Sequence, residues 1–577
     1  MRLLSRFAAG LSLVALFAAS ALADTPSSPL SFVPDSADLL VQIKSPRRLV
    51  ETLTNLDAVK ELQQFPSIKE LLKSTTYRRY YQFLAYFEKE LGADRFELLD
   101  RLAGGGAVLA TKFGDKAPAL LVVQGKDEKL MKKFVAAALE MIDQELARQD
   151  VKERPVKETY QGVETIRFGK DACAAVVGST LIVSNNPKAL QGALDLFAGK
   201  SKKSMAAVAS VADAAALLPA EPLASLWINM EGVKQQPGFK EFYTTPRDML
   251  QLLLYGALVD TLGRSPFVSI GLCQDQEGLR LSGRLPRGRD GMGAVQTVFL
   301  PPEGQPGTRP PLAPKGVLYS ESFYLDPAAI WTDRAKLVNS QLVKSMEETD
   351  KNTGKFLSGL RISTLLTDAG PYQRFVAAEQ PTAGYKIVPA QHVPAFAVVS
   401  EMRNPETLGR NLETALRGAA LLATTQVKLK MNEEKYKDCD IVSYRFPEDA
   451  PYKGDDGGYR FNFSPSFTRV GNQFVASSTT ELCRELVDEL QKETKQSPGG
   501  AATTQARLVP SGLADLVKAF EGTLVTQTIL DQAVPPDAAR KQVEAFIQWV
   551  RGVGEVNLDE TYTTNEFQFD LRWKTGK

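Results

Sequence analysis

One histidine and a few cysteines are the residues on which most catalytic or metal-binding chemistry in this chain would depend. His392 is the single histidine, and it lies in the stretch KIVPAQHVPAF, just before a strand-like run. A Ser-His-Asp site needs a histidine to accept the serine proton, and neither a G-x-S-x-G nor an S-x-x-K pattern occurs. We therefore interpret His392 as a structural or solvated loop residue, and the sequence identifies no catalytic residue.

The cysteines are too widely spaced to form a metal site by themselves. Zinc sites need several Cys or His residues at short spacing, whereas Cys173, Cys273, Cys439 and Cys483 include no C-x-x-C pair. We predict neither a metal nor a cofactor. Two states of the thiols stay open, a disulfide such as Cys439–Cys483 and free buried thiols.

Two partial motifs resemble ligand-binding loops. Gly199-Lys200-Ser201 is similar to the end of a phosphate-binding loop, but it follows a helix and lacks the preceding glycine. We interpret Gly199 as the residue that ends this helix in the left-handed conformation. Asp350 begins a stretch like a calcium loop, but position twelve is Arg361, where glutamate is needed.

The composition is that of an ordinary soluble globular protein. The 577 residues are 44% apolar and 24% charged, and 69 basic residues face 68 acidic ones, for a formal charge of +1. Nucleic-acid binding usually needs a clear basic excess, so we predict no nucleic-acid partner. The length allows several domains of ordinary size.

The N-terminus has the three parts of a secretory signal peptide. Arg2 and Arg6 form a basic region, an apolar run follows, and Ala21-Leu22-Ala23 is an A-x-A cleavage site. We predict that residues 1–23 are a signal peptide and that the protein is exported, to the periplasm or outside the cell. No later segment is long and apolar enough to span a bilayer, so we expect no transmembrane span in the mature chain.

Ordered sequence matches between the two halves indicate internal duplication. Ser45-Pro46 and Asp326-Pro327 are helix starts of the same design, a capping side chain followed by proline. Further matched pairs, in chain order, are Pro118 with Pro394, Tyr160 with Tyr436, Gly178 with Gly471, Val268 with Val556 and Arg284 with Arg572.

We therefore predict an α+β fold of two homologous halves, each a mainly antiparallel sheet with packed helices. Tight turns between successive strand-like runs favour antiparallel pairing. The halves are residues 30–287 and 312–574, joined by a Pro- and Gly-rich linker at 288–311. In the first half, strands are predicted at 38–43, 106–112, 118–124, 160–168, 172–177, 180–184 and 223–229, with a hairpin at 267–285. Helices are predicted at 46–56, through 60–91, and at 127–148, 187–198 and 247–262.

Three stretches resemble a known bacterial family. They are V-P-D-x-A-D-L-L-V at 33–41, A-G-G-G-A-V-L-A at 103–110 and V-x-G-S-T-L-I-V-S-N-N-P-x-A-L at 176–190. With the export signal, they resemble the exported family catalogued as domain of unknown function 3352. The family has no assigned activity, so the resemblance implies a fold but no reaction and no site residues.

Three functional hypotheses follow. The leading one is an exported non-enzymatic binding or scaffold protein, whose partner is an unknown protein or small molecule. The second is a hydrolase or lyase that uses carboxylates alone, since Asp and Glu pairs can do acid–base work without histidine. The third is a carrier of an apolar ligand, which would need a large apolar cavity. Of these three, the sequence favours the non-enzymatic hypothesis over the enzyme.

Overall fold

The computed structural model describes residues 28–244, 249–356, 360–380, 384–424, 427–450, 452, 454–493 and 500–575. The predicted signal peptide, 1–23, lies outside the described residues. The chain divides into two compact units. The first is Met1–Thr244 with Ser265–Pro286, and the second is Thr245–Arg264 with Arg287–Lys577.

Within its described residues, the first unit contains ten strands and ten α-helices. The strands are β1 (Leu39–Ile43), β2 (Gly106–Thr111), β3 (Ala119–Gln124), β4 (Val156–Tyr160), β5 (Val163–Phe168), β6 (Ala172–Val177), β7 (Thr180–Ser184), β8 (Ala224–Asn229), β9 (Phe267–Asp275) and β10 (Gly278–Pro286). The helices are α1 (Pro46–Asn55), α2 (Asp57–Leu62), α3 (Pro66–Lys73), α4 (Thr75–Leu91), α5 (Arg95–Ala103), α6 (Glu128–Arg148), α7 (Pro187–Phe197), α8 (Ala209–Leu217), α9 (Met230–Lys234) and α10 (Pro237–Thr244).

These strands form one antiparallel sheet in the order β4-β5-β6-β7-β3-β2-β1-β8-β9-β10. Helices cover both faces of this sheet. On one face, α7 and α8 pack on a cluster that includes Leu40, Val122 and Ile182. On the other face, α4, α5 and α6 pack on Val123 and Leu181. This alternation of buried residues between two faces is what the period of a strand requires.

The second unit contains, among the residues described, ten strands and eleven α-helices. The strands are β11 (Val317–Tyr324), β12 (Ala369–Ala378), β13 (Ala395–Met402), β14 (Lys430–Tyr436), β15 (Cys439–Arg445), β16 (Ser466–Val470), β17 (Gln473–Ser477), β18 (Thr504–Leu508), β19 (Glu555–Tyr562) and β20 (Glu566–Lys574). The helices are α11 (Met249–Arg264), α12 (Val295–Phe299), α13 (Pro327–Thr332), α14 (Arg334–Leu337), α15 (Ser340–Phe356), α16 (Ile362–Asp368), α17 (Pro405–Ala423), α18 (Thr480–Glu493), α19 (Pro510–Ala519), α20 (Glu521–Gln532) and α21 (Pro536–Gly552).

The second sheet repeats the strand order of the first. Its antiparallel order is β14-β15-β16-β17-β13-β12-β11-β18-β19-β20. Gly178 and Gly471, matched in the sequence, both take the left-handed conformation in the turn between corresponding strands, at φ +56° and +58°. The α+β class and the antiparallel pairing are confirmed. Common descent of the two units stays a prediction, because equal strand order does not by itself establish it.

The capping residues in the sequence correctly predicted where two helices begin. Ser45 accepts a hydrogen bond from the Arg48 amide at the start of α1, and Asp326 accepts bonds from two amides at the start of α13. The sequence patterns missed α5, α8, α9 and α10. Helix α8 is built almost wholly from Ala, Val and Leu, so no polar stripe marks it. The single strand predicted at 160–168 is instead a hairpin, β4 and β5, around Gln161-Gly162.

The middle of the chain belongs to a different unit from the one predicted. The predicted linker, 288–311, lies within the second unit and includes α12. Helix α11, predicted as part of the first half, also belongs to the second unit, where Arg264 donates a hydrogen bond of 2.8 Å to the Gly288 carbonyl. Pro and Gly indicate breaks in regular structure, but they cannot show which side chains such a segment packs against.

Candidate functional site

Part of the predicted linker crosses one face of the second sheet. We call residues 307–313 the strap. The Thr308 and Ser322 hydroxyl oxygens lie 2.7 Å apart and are fully buried. The Pro310 carbonyl accepts a hydrogen bond of 3.2 Å from Arg374, a β12 side chain with 1% exposure. The strap is therefore packed against the sheet, held by Ser322 and Arg374, which are direct neighbours across β11 and β12.

Beside the strap, a cavity of about 360 Å³ opens over β18, β19 and β20, and we call it the groove. Its volume falls within the range of roughly 300–1,000 Å³ that is typical of small-molecule sites. Apart from three strap residues, its walls are mostly charged or amide side chains. The lining residues are Pro311, Leu312, Ala313, Gln505, Ala506, Arg507, Glu555, Asn557, Asp559, Arg572 and Lys574.

Two arginine–carboxylate pairs organise the groove. Arg507 on β18 lies 2.6 Å from a Glu555 oxygen on β19. Arg572 on β20 pairs with Asp559, which lies four residues after Glu555 on β19 and on the same face. Between the two carboxylates, Asn557 donates a hydrogen bond of 2.8 Å to Glu555. Both carboxylates are therefore held as acceptors of charge-assisted hydrogen bonds.

The electrostatics of Glu555 argue against this residue as a general acid. Burial acting alone would raise the pKa of Glu555, but the hydrogen bonds from Arg507 and Asn557 and the Arg507 charge outweigh it and leave the pKa below its usual value. A catalytic carboxylic acid needs a raised pKa to hold its proton near neutral pH. Glu555 is therefore ionised near neutral pH.

Two polar atoms beside the groove lack a hydrogen-bond partner among the described residues. They are Nε of Arg507 and Oγ of Ser320, both buried. Arg507 and Ser320 are direct neighbours across β18 and β11. Buried polar groups without a partner are rare, and each calls for a reason such as a functional role. The edge of the groove next to β11 therefore has unused hydrogen-bonding capacity.

The first unit closes the corresponding face. Its row of neighbours across four strands is Leu40, Trp227, Ser269 and Arg284, all of them buried. Helix α8 lies over this row, since its Ala214 carbonyl accepts a hydrogen bond of 3.0 Å from Ser269. The row in the second unit is Ser320, Arg507, Asn557 and Arg572. The two apolar members of the row are thus replaced by polar ones.

The connection that carries α8 in the first unit differs in length from its counterpart in the second. In the first unit, residues 198–223 connect α7 to β8, and α8 lies within them. In the second unit, only residues 494–503 connect α18 to β18. The described part of this connection, residues 500–503, contains no helix.

The cysteines are buried free thiols. Burial raises the pKa of Cys173 to about 11 and that of Cys483 to about 12. Such thiols stay protonated near neutral pH and are poor nucleophiles. Cys439 and Cys483 belong to one hydrophobic cluster, yet both are unbonded thiols. Of the two states that the sequence left open, the structure shows the free one.

The remaining residues singled out in the sequence have local roles. His392 borders an enclosure of about 10 Å³, which is close to the minimum for one water molecule. Gly199 follows α7 with φ +71°, as predicted for a residue that ends a helix. Asp350 lies inside α15 and accepts a hydrogen bond of 2.7 Å from the Ser363 amide, so it belongs to a helix and not to a loop.

Sequence reasoning missed the groove residues. A signal was present, because polar side chains alternate along β19 at Glu555, Asn557 and Asp559, and along β20 at Arg572 and Lys574. Such alternation predicts a polar sheet face, but it is equally typical of a face exposed to solvent. Only the position of the strap shows that this face forms one wall of a cavity.

The described residues contain neither a metal-binding cluster nor a membrane-spanning helix. No group of three or more His, Cys, Asp or Glu side chains in that part of the chain is arranged to hold a metal ion. No helix within the same ranges is long and apolar enough to cross a membrane.

The molecule is thus an α+β protein with two antiparallel sheets of equal strand order and a charged groove on the second. Residues 84–368 match the family model described as "Protein of unknown function (DUF3352)". The family resemblance predicted from the sequence is confirmed over that region.

Other comparisons give little. No curated protein matches the chain. Solved structures of TP0453 in crystal forms IV, III and I share 9%, 11% and 9% identity with it, at TM-scores of 0.23, 0.24 and 0.24. The alignments cover 45%, 48% and 49% of this chain and 81%, 90% and 90% of the other. Scores this low do not establish a shared fold.

Proposed function

We propose that the protein is an exported, non-enzymatic binding protein whose second unit holds a small polar ligand in the groove. The observation that carries the proposal is the cavity of about 360 Å³ with charged walls. The equivalent face of the first unit is filled by Trp227 and covered by α8. The signal peptide supports export, since all three parts of such a peptide are present in order at 1–23.

The alternatives fit the groove less well. A carrier of apolar ligands needs a mainly apolar cavity, whereas five of the eleven lining residues are charged. A carboxylate-dependent enzyme needs an acid and a base with pKa values pushed apart. In the groove, arginines hold Glu555 and Asp559, and the pKa of Glu555 is lowered. Both carboxylates suit binding better than proton transfer.

A thermal-shift screen of small polar metabolites tests the proposal. A ligand at 100 times its Kd stabilises the folded state by about 2.7 kcal/mol, which is a measurable rise in Tm. We expect at least one compound to raise the Tm of the exported protein. The variant Arg507→Gln should lose that rise, because it removes a charged wall of the groove.

A matched pair provides the control. Arg484 and Glu434 lie 2.7 Å apart with side-chain exposures of 37% and 26%, against 39% and 27% for Arg507 and Glu555. Neither residue of the control pair lines the groove. Arg484→Gln should keep the ligand-induced rise in Tm. Equal loss in both variants, or no responding compound, contradicts the proposal.

A further inference from the structure

The charges that line the groove are already paired within it. Arg507 donates a hydrogen bond of 2.6 Å to Glu555, and Arg572 donates one to Asp559. Lys574, the remaining charged residue of the lining, is the direct neighbour of Glu555 across β19 and β20. An anion that approaches one of these cations also approaches its carboxylate, and a cation meets the reverse. The groove is therefore poorly suited to a ligand whose main group is charged.

The paired side chains keep hydrogen-bonding capacity for a ligand. Among the described residues, the two oxygens of Glu555 accept one hydrogen bond each, from Arg507 and Asn557. Those of Asp559 likewise accept one each, from Gln505 at 3.1 Å and from Arg572. A carboxylate has about four lone-pair sites and a guanidinium five N–H groups. Both pairs thus present acceptors and donors side by side, on side chains that are 26% to 39% exposed.

A hydroxyl group suits such a mixed surface. It donates one hydrogen bond and accepts others, so it can donate to the carboxylate and accept from the guanidinium of the same pair. A ligand carboxylate can only accept, and an ammonium group can only donate. A molecule with several hydroxyl groups and no net charge can therefore use both pairs without meeting a like charge.

The strap gives the groove a wall of a different kind. Pro311, which is partly buried, and Ala313, which is exposed, contribute apolar surface to the lining. A sugar ring carries its hydroxyl groups around its edge and C–H groups on its faces. Covering such a face with the strap removes apolar surface from water, which is favourable. The combination of paired charges and an apolar wall thus fits a sugar better than a linear polar molecule.

We infer that the ligand of the groove is a neutral sugar, with hydroxyl groups bound at the Arg507–Glu555 and Arg572–Asp559 pairs and a ring face against the strap. This inference rests on the proposed function and specifies its ligand class. A sugar acid would bring its carboxylate close to Glu555 or Asp559. An amino sugar would bring its ammonium group close to Arg507 or Arg572.

Three hexoses and their charged derivatives test the inference by titration calorimetry with the exported protein. Glucose, galactose and mannose are each compared with the corresponding uronate and 2-amino sugar. We expect at least one hexose to bind at least tenfold more tightly than both of its charged derivatives. Any other order among compounds that bind overturns the neutral sugar and leaves a polar-ligand protein standing. If none of the nine binds while the metabolite screen yields a ligand lost in Arg507→Gln, the inference fails and the proposed function stands. If both assays are blank, both fail.

An uncharged variant at each pair locates the sugar. Glu555→Gln keeps one carbonyl acceptor but loses the second acceptor oxygen and the charge, so the affinity for the hexose should fall about tenfold. Asp559→Asn should show a similar loss at the other pair. Glu434→Gln is the matched control, because Glu434 lies 2.7 Å from Arg484 with 26% exposure and does not line the groove. It should leave the affinity unchanged. Unchanged hexose affinity in both groove variants, or an equal loss in the control, contradicts the inferred site.

Discussion

Arg374 on β12 and Glu493 at the end of α18 form an ion pair in which the arginine is 1% exposed and the glutamate 22%. The same guanidinium donates hydrogen bonds to the Pro310 carbonyl and to the Gln473 side chain. Arg374 thereby joins the strap, two strands and the end of a helix at one point. A fully buried arginine is uncommon in proteins unless it is paired in this way.

Removing this charge should destabilise the fold. Arg374→Met keeps much of the side-chain volume but leaves Glu493, Gln473 and the Pro310 carbonyl without their donor. Breaking a buried ion pair typically costs about 3 kcal/mol or more, so we expect a loss of about 3 kcal/mol in the free energy of unfolding. Urea denaturation measures it. Arg484→Met, at a partly exposed pair, should cost about 1 kcal/mol or less. Equal losses of unfolding free energy in Arg374→Met and Arg484→Met would contradict a special contribution from the buried pair.

The stability of the second unit should depend on the protonation of Glu560. Burial raises the pKa of Glu560, and the nearby Glu321 charge adds to the rise. A raised pKa in the folded state means that the stabilisation is complete at low pH and is lost as pH rises through the folded-state pKa. Glu560→Gln stays neutral, so its stability relative to the wild type should grow between pH 4 and pH 8. Urea denaturation at both pH values measures this, with the exposed Glu544→Gln as the control variant. A Glu560→Gln difference that is the same at both pH values would disprove the assignment.

Export should remove residues 1–23. The A-x-A pattern at Ala21 and Ala23 places Asp24 first in the mature chain. Intact-mass measurement of the exported protein checks this directly. Ala23→Leu alters the small residue at the cleavage site and should leave the leader attached. An exported wild-type chain that still begins at Met1 would refute the cleavage, and a chain that stays in the cytoplasm would refute export.

His392 should be dispensable. It is half-buried and is not among the residues that line the groove. We expect His392→Asn to change the free energy of unfolding by less than about 0.5 kcal/mol and to leave ligand affinity unchanged. A drop of a hundredfold or more in binding or turnover, with the fold intact by circular dichroism, would make His392 central to the function.

The two units should superpose strand for strand. Pro118 and Pro394 each directly precede corresponding strands, and Val268 and Val556 each lie second in theirs. In a crystal structure, aligning β1–β10 with β11–β20 should bring both pairs into coincidence. An alignment that places either pair on different elements would rule out duplication.

Local chemistry explains what was predictable in this chain. Helix starts at Ser45-Pro46 and Asp326-Pro327 follow from capping and from the fixed φ of proline, and the turns at Gly178 and Gly471 follow from the left-handed conformation. The antiparallel class follows in turn from tight turns between short strands. Each of these features depends on a few neighbouring residues, so a single sequence is enough to predict it.

The groove depends on contacts between distant parts of the chain. The alternation of Glu555, Asn557 and Asp559 indicates a polar face, but covered and open faces share that pattern. Whether the face forms a wall of a cavity depends on the position of the strap, which Arg374 holds. Contacts between residues so far apart in sequence are set by packing of the whole unit, so only the tertiary structure could reveal the groove.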